Sequence, residues 1–158
     1  MGGPATIDGE TYREFDNFFK CSFIFRGFVW SSSEQAFQAV KFDSLRNPEW
    51  VERKNATIIN EIIDCDDPQK SWAVGQSREY KLRDDWEEMK VQEMFNVCYA
   101  KVTQNWDMAL KLCKTRGKIV FTESTKFWNK YNGEIYERIR ELLLHDIKDV
   151  IDVKLSSS

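Results

Sequence analysis

Glu34, Gln38 and Lys41 stand at i, i+4 and i+7 within the run Ser31–Phe42. In a helix turning about 100° per residue they fall on one stripe, away from an apolar patch formed by Ala36, Phe37 and Val40. A carboxylate on such a stripe can stabilise a developing cation or take a proton from water. A lysine made neutral by burial or a nearby cation can attack a carbonyl carbon and form a Schiff base. An amide between them can orient either group. The same stripe also fits a solvated surface, with Lys41 paired to Glu34. Ser31-x-x-Glu34 further matches a capping box, in which the glutamate binds the helix's first amides and does no chemistry. Periodicity alone leaves these readings open.

The elements that must position the stripe fit one domain of 158 residues, with 42% hydrophobic, 14% aromatic and 31% charged residues. A net charge of −3 and a pI near 5.3, with no dense basic run, argue against tight sequence-independent binding to duplex nucleic acid. Cys21, Cys65, Cys98 and Cys113 form no C-x-x-C pair, and the single histidine is the remote His145. No metal site is therefore expected. Without a signal peptide the cysteines read as reduced thiols in a cytoplasmic or nuclear protein. No apolar run approaches the ~20 residues of a membrane span, so no membrane partner is expected. Met1-Gly2-Gly3-Pro4-Ala5-Thr6 formally fits a myristoylation pattern. Residues 1–10 are read instead as a flexible leader before a domain at 11–155.

Residues 12–30, rich in Phe and punctuated by Gly27, predict short strands and a hairpin. A helix is expected over 32–46, ending before Asn47-Pro48. One or two helices over 48–64 would point Ile58, Ile59, Ile62 and Ile63 inward. Asp66-Asp67-Pro68 starts another turn of helix, which Gly75 breaks. Helices are expected over 84–103, capped by Asp84 or Asp85, and over Trp106–Lys114, with a buried strand over Lys118–Thr122. Gly133 is expected to break the chain before a helix at 134–146. The alternating tail, 150–155, suggests a last strand or a docked extension. The fold class is α+β: helix-dominated, with a small sheet.

Three segments resemble the NADAR superfamily, to which the YbiA-like proteins belong. Asn17-Phe18-Phe19 is similar to its Asn-Phe-Tyr. Ser33-Glu34-Gln35-Ala36-Phe37-Gln38-Ala39-Val40-Lys41-Phe42 resembles Val-Glu-His-Ala-Tyr-Gln-Ala-x-Lys-Phe. Arg83-Asp84-Asp85-Trp86-Glu87-Glu88-Met89-Lys90 resembles Arg-x-Asp-Trp-x-x-x-Lys. A weaker fourth segment, Ile119–Trp128, parallels a strand ending in Glu-x-Asp-x-x-Trp. The chain departs from the pattern in three places. Thr125 stands where Asp is frequent, Asn129–Gly133 shortens a Gly-rich loop, and Gln35 replaces a histidine.

The resemblance implies a YbiA-like fold and an N-glycosidase that breaks a bond between ribose C1 and an amine nitrogen. It implies Glu34 and Lys41 as catalytic residues. Asn17, Phe18, Ser33, Gln38, Gly75, Arg83, Trp86, Lys90 and Glu123 would bind substrate. Trp86 would stack on a base or ribose, and Arg83 and Lys90 would meet phosphate. Each has a plainer alternative: Trp86 and Phe18 as core, Arg83 and Lys90 as surface charge, Glu123 in a structural ion pair. The implied ligand is ADP-ribose, carried on guanine in DNA or RNA, with the protein a monomer needing no cofactor. The alternatives are a ribosylamino intermediate of the riboflavin pathway, or a non-catalytic ADP-ribose or NAD-binding module.

Overall fold

The structure, a computed structural model, describes residues 2–156; of these, side chains are not described at 150, 151 and 153–155. The chain is α+β and helix-dominated, as its sequence pattern implies. β1 (Ala5–Ile7) and β2 (Glu10–Tyr12) form a hairpin, and β1 also pairs antiparallel with β5 (Val120–Phe121), giving the order β2-β1-β5. β3 (Phe23–Phe25) and β4 (Phe28–Trp30) form a second hairpin. The helices are α1 (Ser33–Val40), α2 (Ala56–Ile63), α3 (Pro68–Gly75), α4 (Trp86–Thr103), α5 (Trp106–Lys114) and α6 (Lys126–Ser156).

The stretch read as a flexible leader is instead built into the fold. Ala5 and Ile7 are fully buried, and Phe15 beyond them packs on Tyr136 of α6. The turn explains why this hairpin forms. Asp8 and Gly9 both have positive φ (53° and 79°), as a two-residue type I′ turn requires. The Asp8 carboxylate then accepts the backbone N–H groups of Arg116 and Gly117, and these bonds hold it below the usual carboxylate range against the cost of desolvation. Arg26 and Gly27 repeat the same turn in the second hairpin.

Three further expectations are corrected. The helix expected over 32–46 ends at Val40. Asp43 accepts the Leu45 N–H, Leu45 takes a positive φ of 60°, and Asn55 donates to the Phe42 carbonyl, so local turn bonds replace helical ones. Gly133 does not break the chain but lies inside α6, where a Cβ would meet the Ile119 carbonyl oxygen at 2.7 Å. Its missing side chain lets α6 lie close against the strand end. The tail expected to be a strand or a docked extension continues α6 to Ser156.

α1 is the hub. It packs against α2, α3 and α4, and all eight of its residues are buried. Phe37 touches the indoles of both Trp86 and Trp128, at ring centroid distances of 5.1 and 5.3 Å. Beyond its end, the buried Glu93 of α4 accepts from Arg26 at 2.6 Å and from Arg83 at 2.7 Å. Both guanidiniums also reach carbonyls just past or at the end of α1, those of Ser44 and Val40. This charged knot clamps the exit of α1 to α4 and the second hairpin.

Candidate functional site

The polar stripe of α1 does not face water. Glu34 is 0% exposed and Gln38 1%. The cap that would have given Glu34 a structural role lies one residue further on. Ser32 is the N-cap, its hydroxyl accepting the Gln35 N–H at 3.0 Å. Gln35, at the position of the family's histidine, closes the arrangement, with Oε1 accepting from the Ser31 N–H at 2.9 Å. Its Nε2 donates to the carbonyls of Ile62, Ile63 and Cys65 at the end of α2. Gln35 thus takes the part that the Ser31-x-x-Glu34 spacing assigned to Glu34.

Gln38 Nε2 donates to Glu34 Oε1 at 2.7 Å, fixing that carboxylate. The Gln38 carbonyl oxygen is buried and has no partner among the described residues. It lies against Gly75, where any Cβ would overlap it. Gly75 therefore allows a close approach between α1 and α3 at Gln38. Asn17 supports the other end of the pair: its carbonyl accepts the Glu34 N–H at 3.0 Å, and its side chain accepts the Ser33 hydroxyl at 2.9 Å. Beneath this corner the buried Lys101 donates to the Asp16 carbonyl at 2.9 Å. Cys98, its thiol pushed up to about 11 by burial, approaches Asn17 Oδ1 at 3.6 Å.

Lys41 follows the last residue of α1 and is half-buried, its amine 5.7 Å from the Phe42 ring centroid. Burial lowers its pKa to about 8, while the Glu34 charge pulls in the opposite direction. Desolvation wins. About a tenth of Lys41 is then neutral at pH 7, against well under a thousandth for an ordinary lysine.

A cleft of about 620 Å³ is lined by Phe18, Gln69, Trp72, Glu123, Ser124 and Thr125, among others. The chain ties the cleft wall to the buried pair on two sides. Phe18 follows Asn17. Ala73, also in the wall, lies two residues before Gly75 on α3. Gly2 backs the Phe18 ring so tightly that a Cβ would overlap it, and Asp16 Oδ1 accepts from both Gly3 N and Phe18 N at 2.9 Å. Thr125, where the family frequently has Asp, caps α6 by accepting the Trp128 N–H at 3.2 Å.

The structure thus gathers Asn17, Ser33, Glu34, Gln38 and Gly75 into one buried polar corner, with Phe18 and Glu123 in the cleft wall and Lys41 at the end of the same helix. Three expected binding residues lie elsewhere. Trp86 is 6% exposed and packed on Phe37, where its indole supports α1 from below. Arg83 spends its guanidinium on Asp85, Glu93 and the Val40 carbonyl, so those donors are already engaged by protein oxygens. Lys90 pairs with Glu87 at 2.7 Å and lies over the Phe127 ring. Trp72, Gln69 and Ser124 were not singled out from the sequence. The one available signal was a tryptophan next to Gln69-Lys70-Ser71 on a short helix. Among the described residues no cluster of three or more His, Cys, Asp or Glu could hold a metal ion, and no helix is long and apolar enough to cross a membrane.

The helix-dominated α+β fold, with a buried carboxylate–amide pair on its central helix, is that of a known family. Residues 6–134 match the NADAR domain, and the chain belongs to that family. An N-glycosidase YbiA from Shigella boydii serotype 4 (strain Sb227) is 30% identical over 138 residues, which cover 85% of this chain and 79% of that protein. A riboflavin biosynthesis protein from Vibrio vulnificus (strain YJ016) is 28% identical over 114 residues; the match spans only 28% of its length. The NMR structure of the Escherichia coli protein YbiA superposes with a TM-score of 0.71 at 26% identity, covering 85% of this chain and 80% of that one.

Proposed function

We propose that this protein is an N-glycosidase that removes ADP-ribose from ADP-ribosylated guanine in nucleic acid, with Glu34 and Lys41 as its catalytic residues. The observation that carries this reading is the Glu34 carboxylate, fully buried and held by Gln38. Breaking the C1–N bond builds positive charge on the ribose ring. Glu34 stabilises that charge and takes a proton from the water that adds to C1, while the bonding electrons leave with the base nitrogen, which is protonated. A route through Lys41 begins on ring-opened ribose. The neutral amine adds to C1, the base nitrogen departs with a proton, and water hydrolyses the resulting Schiff base to return the lysine. Because Glu34 is fully buried, the direct route requires the substrate's ribose to displace the side chains that cover it.

The test is release of ADP-ribose from guanine-ADP-ribosylated DNA by wild type, Glu34→Gln and Lys41→Ala. Release by wild type that persists undiminished in both variants overturns the site. Borohydride trapping separates the routes, since a covalent adduct lost in Lys41→Ala marks the Schiff base. The name of the Vibrio relative favours a second reading, hydrolysis of a riboflavin-pathway ribosylamino intermediate. Turnover of that compound without release from DNA would establish it. Binding of ADP-ribose with no turnover of either would identify a binding module.

A further inference from the structure

Trp72 lies on α3 one turn before Gly75, and its side chain is 42% exposed at the cleft that Phe18 also lines. Neither ring makes a ring–ring contact among the described residues, unlike Trp86, which rests on Phe37. The cleft, about 620 Å³, is of the size that holds a heterocycle with part of a sugar. Its rim is polar and held in place. The Ser124 hydroxyl is buried with no partner among the described residues. Asn129 fixes the Ser124 backbone from both sides, accepting from its N–H at 2.9 Å and donating to its carbonyl at 3.2 Å. Glu123, next in the rim, is exposed and presents a carboxylate that can only accept when ionised.

We infer that this cleft takes the acceptor base of the substrate, stacked on Trp72, with Glu123 accepting from adjacent N–H donors on the base edge; this rests on the N-glycosidase reading above. A carboxylate selects among planar bases. Guanine offers a ring N–H beside an exocyclic amine, so two donors face the two carboxylate oxygens. Adenine offers one amine beside an acceptor nitrogen, which the carboxylate repels. The cleft is then a subsite for the base that leaves. Trp72, and not the buried Trp86, is the stacking residue.

The experiment titrates wild type, Trp72→Ala, Trp72→Phe and Glu123→Gln with guanosine and with adenosine by calorimetry, circular dichroism confirming that each variant is folded. Wild type should bind guanosine more tightly than adenosine. Trp72→Ala should weaken guanosine binding about 5- to 150-fold, the range expected for loss of one stacked base, with Trp72→Phe in between. Glu123→Gln should remove the preference for guanosine. Wild-type binding of neither nucleoside, a preference for adenosine, or unchanged guanosine binding by Trp72→Ala overturns the inference. Failure of the two readings is distinguishable. Loss of guanosine binding in Trp72→Ala, with no ADP-ribose release by wild type, keeps the base subsite and removes the activity. Release by wild type, with an unchanged KM and unchanged guanosine binding in Trp72→Ala, keeps the activity and removes the subsite.

Discussion

Replacing Lys41 by methionine keeps most of the side chain's length and removes its amine. In the folded chain Lys41 titrates near 8 instead of near 10.5, because burial disfavours the ammonium more than Glu34 favours it. Between those two values the unfolded chain binds more protons, so stability rises with pH across that window. Below about pH 8 the folded protein bears the whole cost of keeping a half-buried ammonium. That cost has an upper bound of about 3 kcal/mol, reduced by residual solvent screening to about 1–3 kcal/mol. Lys41→Met should therefore be more stable than wild type at pH 7 by about 1–3 kcal/mol, and about half of that gain should vanish by pH 9.5. Urea unfolding of both proteins at the two pH values measures this difference. Lys101, Cys98 and Tyr136 also titrate abnormally through burial, but they are common to both proteins and cancel. A stabilisation of equal size at both pH values would refute the reasoning, since the amine would then be titrating as an ordinary surface lysine. The same variant should release no ADP-ribose if Lys41 acts as proposed.

Gly75→Ala adds a methyl group that overlaps the Gln38 amide, so it should cost about 1–3 kcal/mol, although alanine is the better helix former. Urea unfolding checks the cost, and activity should fall with it because Gln38 loses its hold on Glu34. Thr125→Ala removes the hydroxyl that caps α6 and should lower stability by about 1 kcal/mol, while Thr125→Asp, which restores the family's frequent residue, should keep it. Thermal unfolding of the two variants separates capping from any other role at that position.

The legible parts of the fold were those set by local chemistry. The apolar spacing of Ala36, Phe37 and Val40 marked α1, and Asp66-Asp67-Pro68 marked the start of a helical turn. The first hairpin carried a local signal too, Asp8-Gly9 between alternating residues, but its position near the chain start was read as a leader. What was not legible depended on distant contacts. Gly133 has the appearance of a helix breaker until the Ile119 carbonyl is placed beside it. The capping box shifted by one residue because Gln35 has the end of α2 to bind as well as the N-terminus of α1. The cleft joins α3 to the start of α6 and to Phe18, elements separated by 50 residues or more.

The polar stripe shows why sequence could raise the question and not answer it. Amphipathic analysis assumes that the polar face of a helix meets water, and α1 is buried on every side. Burying a carboxylate, an amide and part of a lysine in one corner opposes folding unless each is paired. Here the pairing is partial. Gln38 donates to Glu34, yet its own side-chain carbonyl oxygen has no partner among the described residues, and burial lowers the pKa of Lys41. Replacing Gln38 alone would take its donor from the buried Glu34 carboxylate and destabilise, so the cost of the stripe is read at Lys41, where the expected stabilisation by Lys41→Met bears on function as well as on folding. Buried polar groups that are only partly paired oppose folding, and the Lys41→Met comparison measures how much of that opposition α1 carries.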